Sequence, residues 1–179
     1  AEADLASSVT ISIGGFQNAI AEAVGRAQPL GAQAGDELRL VTSNSMAAGN
    51  APEGAAGMVE TNVNIAAVTM NGDAITSCVI DAVQAQVSFD GQGQLLTDLS
   101  APVPSKNDRG ADYGMGAVSS IGKEWNEQAA AFAAYVTGKT LDEVAGIAVD
   151  EATKPAEADL ASSVTISIGG FQALLEKLR

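Results

Sequence analysis

The clearest pattern of apolar and polar positions runs from residue 58 to residue 83. Residues 58–70 and 74–83 are rich in Val, Ile, Thr and Ala, with the alternation of strands that bury one face. Asn71 and Gly72 stand between them, and because both tolerate a positive φ they predict a tight hairpin of antiparallel strands. Residues 37–43 predict a further strand, and residues 84–89 and 95–99 a second hairpin about Asp90, Gly91, Gln92 and Gly93. Residues 47–57 and 102–112, rich in loop-forming residues, predict loops. The period then changes. Ile121, Trp125, Ala129, Phe132 and Val136 recur on one face at helical spacing, with Gly138 closing the segment. Thr140 and Glu143 have capping-box spacing, which predicts a short helix through about residue 148 with Leu141, Val144 and Ala148 inward. The expected fold class is α+β, a mainly antiparallel sheet with helices packed on one face.

The two ends carry the same text. Residues 1–17 recur letter for letter at 156–172, and beyond them both copies keep a helical apolar stripe: Phe16, Ala19, Ile20 and Val24 in the first, Phe171, Leu174, Leu175 and Leu178 in the second. Each copy therefore predicts a strand, two glycines and a helix. The offset of 155 residues is the length of a small domain. The expected organisation is residues 1–30 as the strand–helix tail of an upstream repeat, 31–36 as linker and 37–179 as the main domain. One domain offers one place for this segment. The spare copy, residues 1–27, is expected to dock on a neighbouring chain's domain or to exchange with its C-terminal copy, since strand addition satisfies its backbone and covers its apolar side chains, giving rings or filaments according to whether the contact closes.

Charge and composition narrow the chemistry. Nine Lys and Arg against 22 Asp and Glu give a net charge of −13, which disfavours nucleic acid and anionic membrane surfaces as partners. No run approaches the length of a spanning helix, so direct membrane insertion is not expected. The chain has no His, which removes Ser-His-Asp and Cys-His catalysis and nearly all zinc sites. Its one cysteine, Cys78, sits in an apolar strand and is expected to pack there.

Several short patterns touch on chemistry. Ser120 and Lys123 fit S-x-x-K, but the partner motifs S-D-N and K-T-G are missing, and a helix start with a solvated Lys123 is the simpler reading. Gly138, Lys139 and Thr140 match the end of a P-loop, yet residue 133 is Ala and a helix precedes them, so no phosphate cradle is expected. Residues 107–112 lack the ligand spacing of a calcium loop. Tyr113, Gly114 and Met115 offer a ring beside flexible backbone, a wall for a flat ligand.

Asp159, Ser162, Thr165 and Ser167 stand apart. Together with their neighbours they resemble the D-x-x-S-G-A-T-x-S/T motif of the FMN-binding domain family, which includes flavin-carrying subunits of Rnf-type and sodium-pumping quinone reductase complexes. The likeness extends from residue 60 to 178: residues 71–75 resemble the family's hairpin, and residues 113–125 with Gly138 and Lys139 its glycine-rich stretch, helix and G-K pair. Ser163 and Val164 stand where the family has Gly and Ala. The resemblance implies FMN attached through its phosphate to Thr165, with Ser167 as second choice, by a separate flavin transferase. Thr10, with Asp4 and Ser7, is the matching site in the first copy. It further implies an extracytoplasmic or cell-surface electron carrier serving a redox partner, whose cofactor needs no side-chain acid or base. Two other readings stay open: Val164, Ile166 and Ile168 as the inward face of a core strand, and a non-catalytic surface or filament-forming repeat protein that keeps the scaffold without flavin.

Overall fold

The structure, a computed structural model, describes residues 2–49 and 56–179, with side chains from residue 5 onward. It divides into two compact units, Ala1–Leu30 and Gly31–Arg179.

The second unit is built on three antiparallel strands in the order β1 (Glu37–Gly49), β2 (Gly57–Asn71) and β3 (Ala74–Phe89). The β2–β3 hairpin closes where Asn71 pairs with Ala74, leaving Gly72 and Asp73 as the two-residue turn, with Gly72 at φ 58°. One residue further in, the register shifts between Thr69 and Met70, so that Thr76 has no partner on β2. This bulge switches the parity of β3: Ile75 points inward before it, and Cys78, Ile80 and Ala82 after it. Ala66, Val68 and Met70 of β2 complete the buried face. The opposite face exposes Leu38 and Leu40 of β1 and Val79 of β3. Helices thus cover one face of the sheet, and the fold is α+β.

The main covering helix is α4 (Trp125–Val136), which lies on β3 and buries Trp125, Ala129, Phe132, Ala133 and Val136. It is preceded by a short α3 (Lys106–Arg109) and a 3-10 turn, Gly110–Tyr113. After Gly138, whose N–H donates to the Ile75 carbonyl at 2.7 Å, α5 (Leu141–Ala145) begins at the expected capping box of Thr140 and Glu143. The chain ends with α6 (Ala158–Ala161), a turn, and α7 (Gly169–Glu176), which packs against α5 and the sheet. Phe171 of α7 meets Phe132 at 5.4 Å and Trp125 at 6.0 Å between ring centroids, the latter edge to face.

Several expectations are corrected. Residues 47–49 continue β1 and residue 57 begins β2; of the rest of that expected loop, residue 56 is outside any strand and 50–55 lie outside the described residues. Residues 74–89 form one continuous strand. The chain reverses at residues 90–93 as expected, but the second hairpin is cut short: residues 95–99 form no strand and meet β3 through the Phe89–Leu95 bridge and the Ser88 N–H bond to Thr97 Oγ1, with Leu95, Leu96 and Leu99 left exposed. Ile121 precedes α4 in a turn that also contains Ser120, and Ala148 is exposed while Ile147 is buried. Residues 31–36 rest on the hairpin: the Asp36 carboxylate accepts from Thr76 Oγ1 at 2.6 Å, the Gln33 N–H at 2.8 Å and Asn71 Nδ2 at 3.1 Å. These donors hold its pKa below the usual carboxylate value, Thr76 most of all.

The largest correction concerns the repeat. Neither copy is a strand. The segment folds as helix, turn and helix: α6 ends at Ala161, residues 162–168 form an irregular turn, and α7 begins at Gly169, so Leu160 is buried from α6 and Val164 and Ile168 from the turn. The first unit does the same, with α1 (Glu2–Ser8) and α2 (Gly14–Arg26). Leu5, Ala6, Val9, Ile11 and Ile13 of that unit line an open apolar recess of about 260 Å³. No described helix is long and apolar enough to cross a membrane.

Candidate functional site

Gln128 organises the region around Thr165. It lies one helical turn after Trp125 on the buried side of α4, and it is fully buried. A primary amide in that position must find partners for both its oxygen and its nitrogen. Its Oε1 accepts from the Thr165 N–H at 2.8 Å, the Ile166 N–H at 3.2 Å and the Thr165 hydroxyl at 3.2 Å. Its Nε2 donates to the Lys123 carbonyl at 2.9 Å and Ser119 Oγ at 3.2 Å, with Met115 Sδ at 3.9 Å. One side chain therefore joins the segment containing Thr165 to the loop containing Met115. Val164 and Ile168 are buried on either side, so the half-buried Thr165 is held on a rigid turn.

The loop is fixed from its other side by Glu124, whose carboxylate accepts from the Met115 N–H and the Gly116 N–H, each at 2.9 Å. A Cβ at residue 116 would stand 2.7 Å from Glu124 Oε1, so a larger residue there would push the carboxylate off its contacts with the loop. Glu124 also begins α4, its own N–H donating to Glu127 Oε2 at 2.8 Å.

Tyr113 is surrounded by cations. Lys106 Nζ lies 4.7 Å from its ring centroid and 5.1 Å from that of Trp125, and Arg109 lies 5.0 Å from the Tyr113 ring. Its hydroxyl donates to Gln84 Oε1 at 3.4 Å. Gln84 in turn donates to Glu60 at 2.8 Å, where Gln86 and Asn62 also converge, and these amides depress the Glu60 pKa below the usual carboxylate value, Gln86 most of all. The Tyr113 ring, expected as a wall for a flat ligand, has two cations over it at the edge of an amide-rich strip of sheet.

The other predicted residues are placed less centrally. Ser162 Oγ donates to the Asp159 carbonyl at 2.7 Å, which ties off the end of α6, and Asp159 itself is exposed. The Ser167 hydroxyl pairs with that of Thr153, a β-branched residue at φ 57° whose carbonyl accepts from the Ile168 N–H at 2.8 Å. Ser167 therefore serves the turn while remaining exposed, whereas Thr165 is half-buried with its hydroxyl donating to Gln128. Gly114, at φ 79°, ends the 3-10 turn. In the first unit Thr10 is exposed, and the side chain of Asp4 lies outside the described residues. Lys139 stacks on Tyr135 at 4.5 Å, so residues 138–140 act as a junction between α4, β3 and α5.

Sequence reasoning missed Gln128, Glu124, Lys106 and Arg109. Gln128 left a trace: it is a polar residue three positions after Trp125 on the apolar face of a helix, where it must be paired or costly. Cys78 is buried as expected, and burial pushes its thiol up to about 12. No family model, curated protein or solved structure matches the chain.

Proposed function

We propose that the second unit is an exported flavin carrier in which FMN is joined through its phosphate to the Thr165 oxygen. The observation that supports this most is the Gln128 hub: it fixes Thr165 on a rigid turn and links it to the loop of Tyr113, Gly114 and Met115. The residues present fit such a group. A hydroxyl acceptor is partly exposed, Lys106 and Arg109 bring positive charge to a chain of net charge −13, and the Gln84 amide lies beside the Tyr113 ring. When bound, the group supplies reversible electron transfer through its ring system. The chain's own residues would hold the segment: Gln128 would keep the Thr165 and Ile166 N–H bonds, while the hydroxyl bond to Gln128 would be given up when that oxygen carries the phosphate.

Coexpressed with a flavin transferase, the protein is expected to stay yellow after denaturation and to carry FMN on the peptide containing Thr165, with both lost in Thr165→Val. A colourless protein with an unmodified Thr165 peptide overturns the reading. It would favour the second one, a surface or filament protein that keeps the scaffold without flavin, which draws its support from the apolar face exposed by the first unit.

A further inference from the structure

The first unit carries the anchors that hold the second copy of the repeat in its domain, with Leu5 and Phe16 exposed and Val9 and Ile13 half-buried about an open recess. In the second copy the apolar anchors are Leu160, Val164, Ile168 and Phe171, all buried. Its polar anchors are Thr165 on Gln128, Ser167 on Thr153, and Gln172, whose Nε2 donates to the Val144 and Ile147 carbonyls at 3.0 and 3.1 Å. All seven lie within the identical stretch. Their counterparts are Leu5, Val9, Ile13 and Phe16, with Thr10, Ser12 and Gln17. The backbone already matches: Ile13, ahead of α2, has φ −103° and ψ −3°, and Ile168, ahead of α7, has φ −106° and ψ −4°.

Beyond Gln17 the copies part. The buried Leu174, Leu175 and Leu178 correspond to Ala19, Ile20 and Ala23. A slot closed by the first copy would have space where two leucines now fill it, and unfilled core volume weakens packing. The covalently attached second copy therefore holds the slot more tightly.

We infer that residues 5–24 are a second closing segment for the slot that residues 160–178 occupy, and that their receiver is the body of another copy of this chain. The first copy enters head to tail and displaces the resident segment. Thr10 and Ile11 take the Gln128 oxygen, and Gln17 takes the Val144 and Ile147 carbonyls at the end of α5. Such a contact propagates along a row of chains unless the row closes into a ring. Ala19 and Ala23 keep the exchange weak, so the wild-type chain associates only at high concentration. This inference does not depend on flavin.

The direct test uses two full-length variants, Ser12→Cys and Thr153→Cys, mixed under a mild thiol oxidant such as diamide. The Ser167–Thr153 hydroxyl contact places residue 12 beside residue 153 only when the first copy occupies another chain's slot. The expected product is a disulfide-linked pair of the two variants, with yield raised about tenfold or more by Ala19→Leu with Ala23→Leu. Asn18→Cys, whose counterpart Ala173 faces outward, should give no such pair with Thr153→Cys. A second readout needs no cysteine: by sedimentation, the Ala19→Leu/Ala23→Leu chain should associate, and Gln17→Ala should dissociate it. Absence of the pair even with the leucines, equal yield from Asn18→Cys, or association indifferent to Gln17→Ala each overturns the inference.

Discussion

The two copies of the repeat share seventeen letters and a backbone course, yet their side chains live in different solvents. Leu160 is 1% exposed and Leu5 47%; Phe171 is 5% exposed and Phe16 60%. Local sequence therefore dictates the helix, turn and helix in both places, and burial is set by what faces them. The second copy meets the Gln128 amide, the Thr153 carbonyl and the rings of Trp125 and Phe132. In the first, Leu5, Ile11 and Phe16 remain open to solvent and Val9 and Ile13 are only half-buried. Thr10 and Thr165 illustrate the functional side of the contrast, because the same motif residue is exposed in one copy and fixed on a buried amide in the other.

The largest expected difference comes from truncating the paired phenylalanines. Phe171→Ala removes a ring packed against two others and should cost about 3–5 kcal/mol, whereas Phe16→Ala should change stability by less than about 0.5 kcal/mol in dilute protein. Denaturant unfolding of both variants checks this, and similar losses would erase the contrast. Gln128→Leu should come next, at about 3 kcal/mol, because it strands the buried amides of Thr165 and Ile166. The same variant should raise hydrogen exchange at those two amides without altering exchange at Thr10 and Ile11.

A third test probes the dry interior behind the second copy. The Cys78 thiol is neutral when folded up to about pH 12, against an ordinary value of 9.0. Its folded pKa is raised, so its contribution is fully present below pH 9 and is lost as pH rises toward 12, when the unfolded chain ionises first. Between those limits wild-type stability should fall more steeply than that of Cys78→Val, by up to about 1.4 kcal/mol per pH unit. Parallel curves would place the thiol in contact with water. The smallest effect is expected at the cap of α5: Thr140→Ala removes a hydroxyl that accepts from the Glu143 N–H at 3.2 Å and should cost about 1 kcal/mol in thermal or denaturant unfolding.

What could be read from the sequence was what local chemistry decides. The Asn71–Gly72 hairpin, the helical stripe from Trp125 to Val136 and the capping box of α5 each follow from turn geometry or periodicity within a few residues. The α+β class follows from their sum. The misread elements were those where alternation competes with other signals. Residues 164–168 alternate like a strand, but the same letters form a turn between helices in the first copy as well, so the turn is local, and Gln128, 37 residues away from Thr165, takes its amides in the second copy. Residues 95–99 have strand-forming leucines, and the sheet offers them one bridge. Of the candidate site, the motif threonine and the loop at Tyr113 were legible as letters. The amide that joins them was visible only as a polar residue on an apolar face.

Hydrogen exchange of the intact, dilute chain tests most directly the claim that the domain body, and not the repeated sequence, confers burial and order. Peptides extending into Asn18 or into Ala173 tell the two copies apart. The account predicts that the amides of Thr165, Ile166 and Ile168 resist exchange up to the free energy of global unfolding, while Thr10, Ile11 and Ile13 exchange by local opening of nearly zero cost. Equal uptake in the two copies would contradict it.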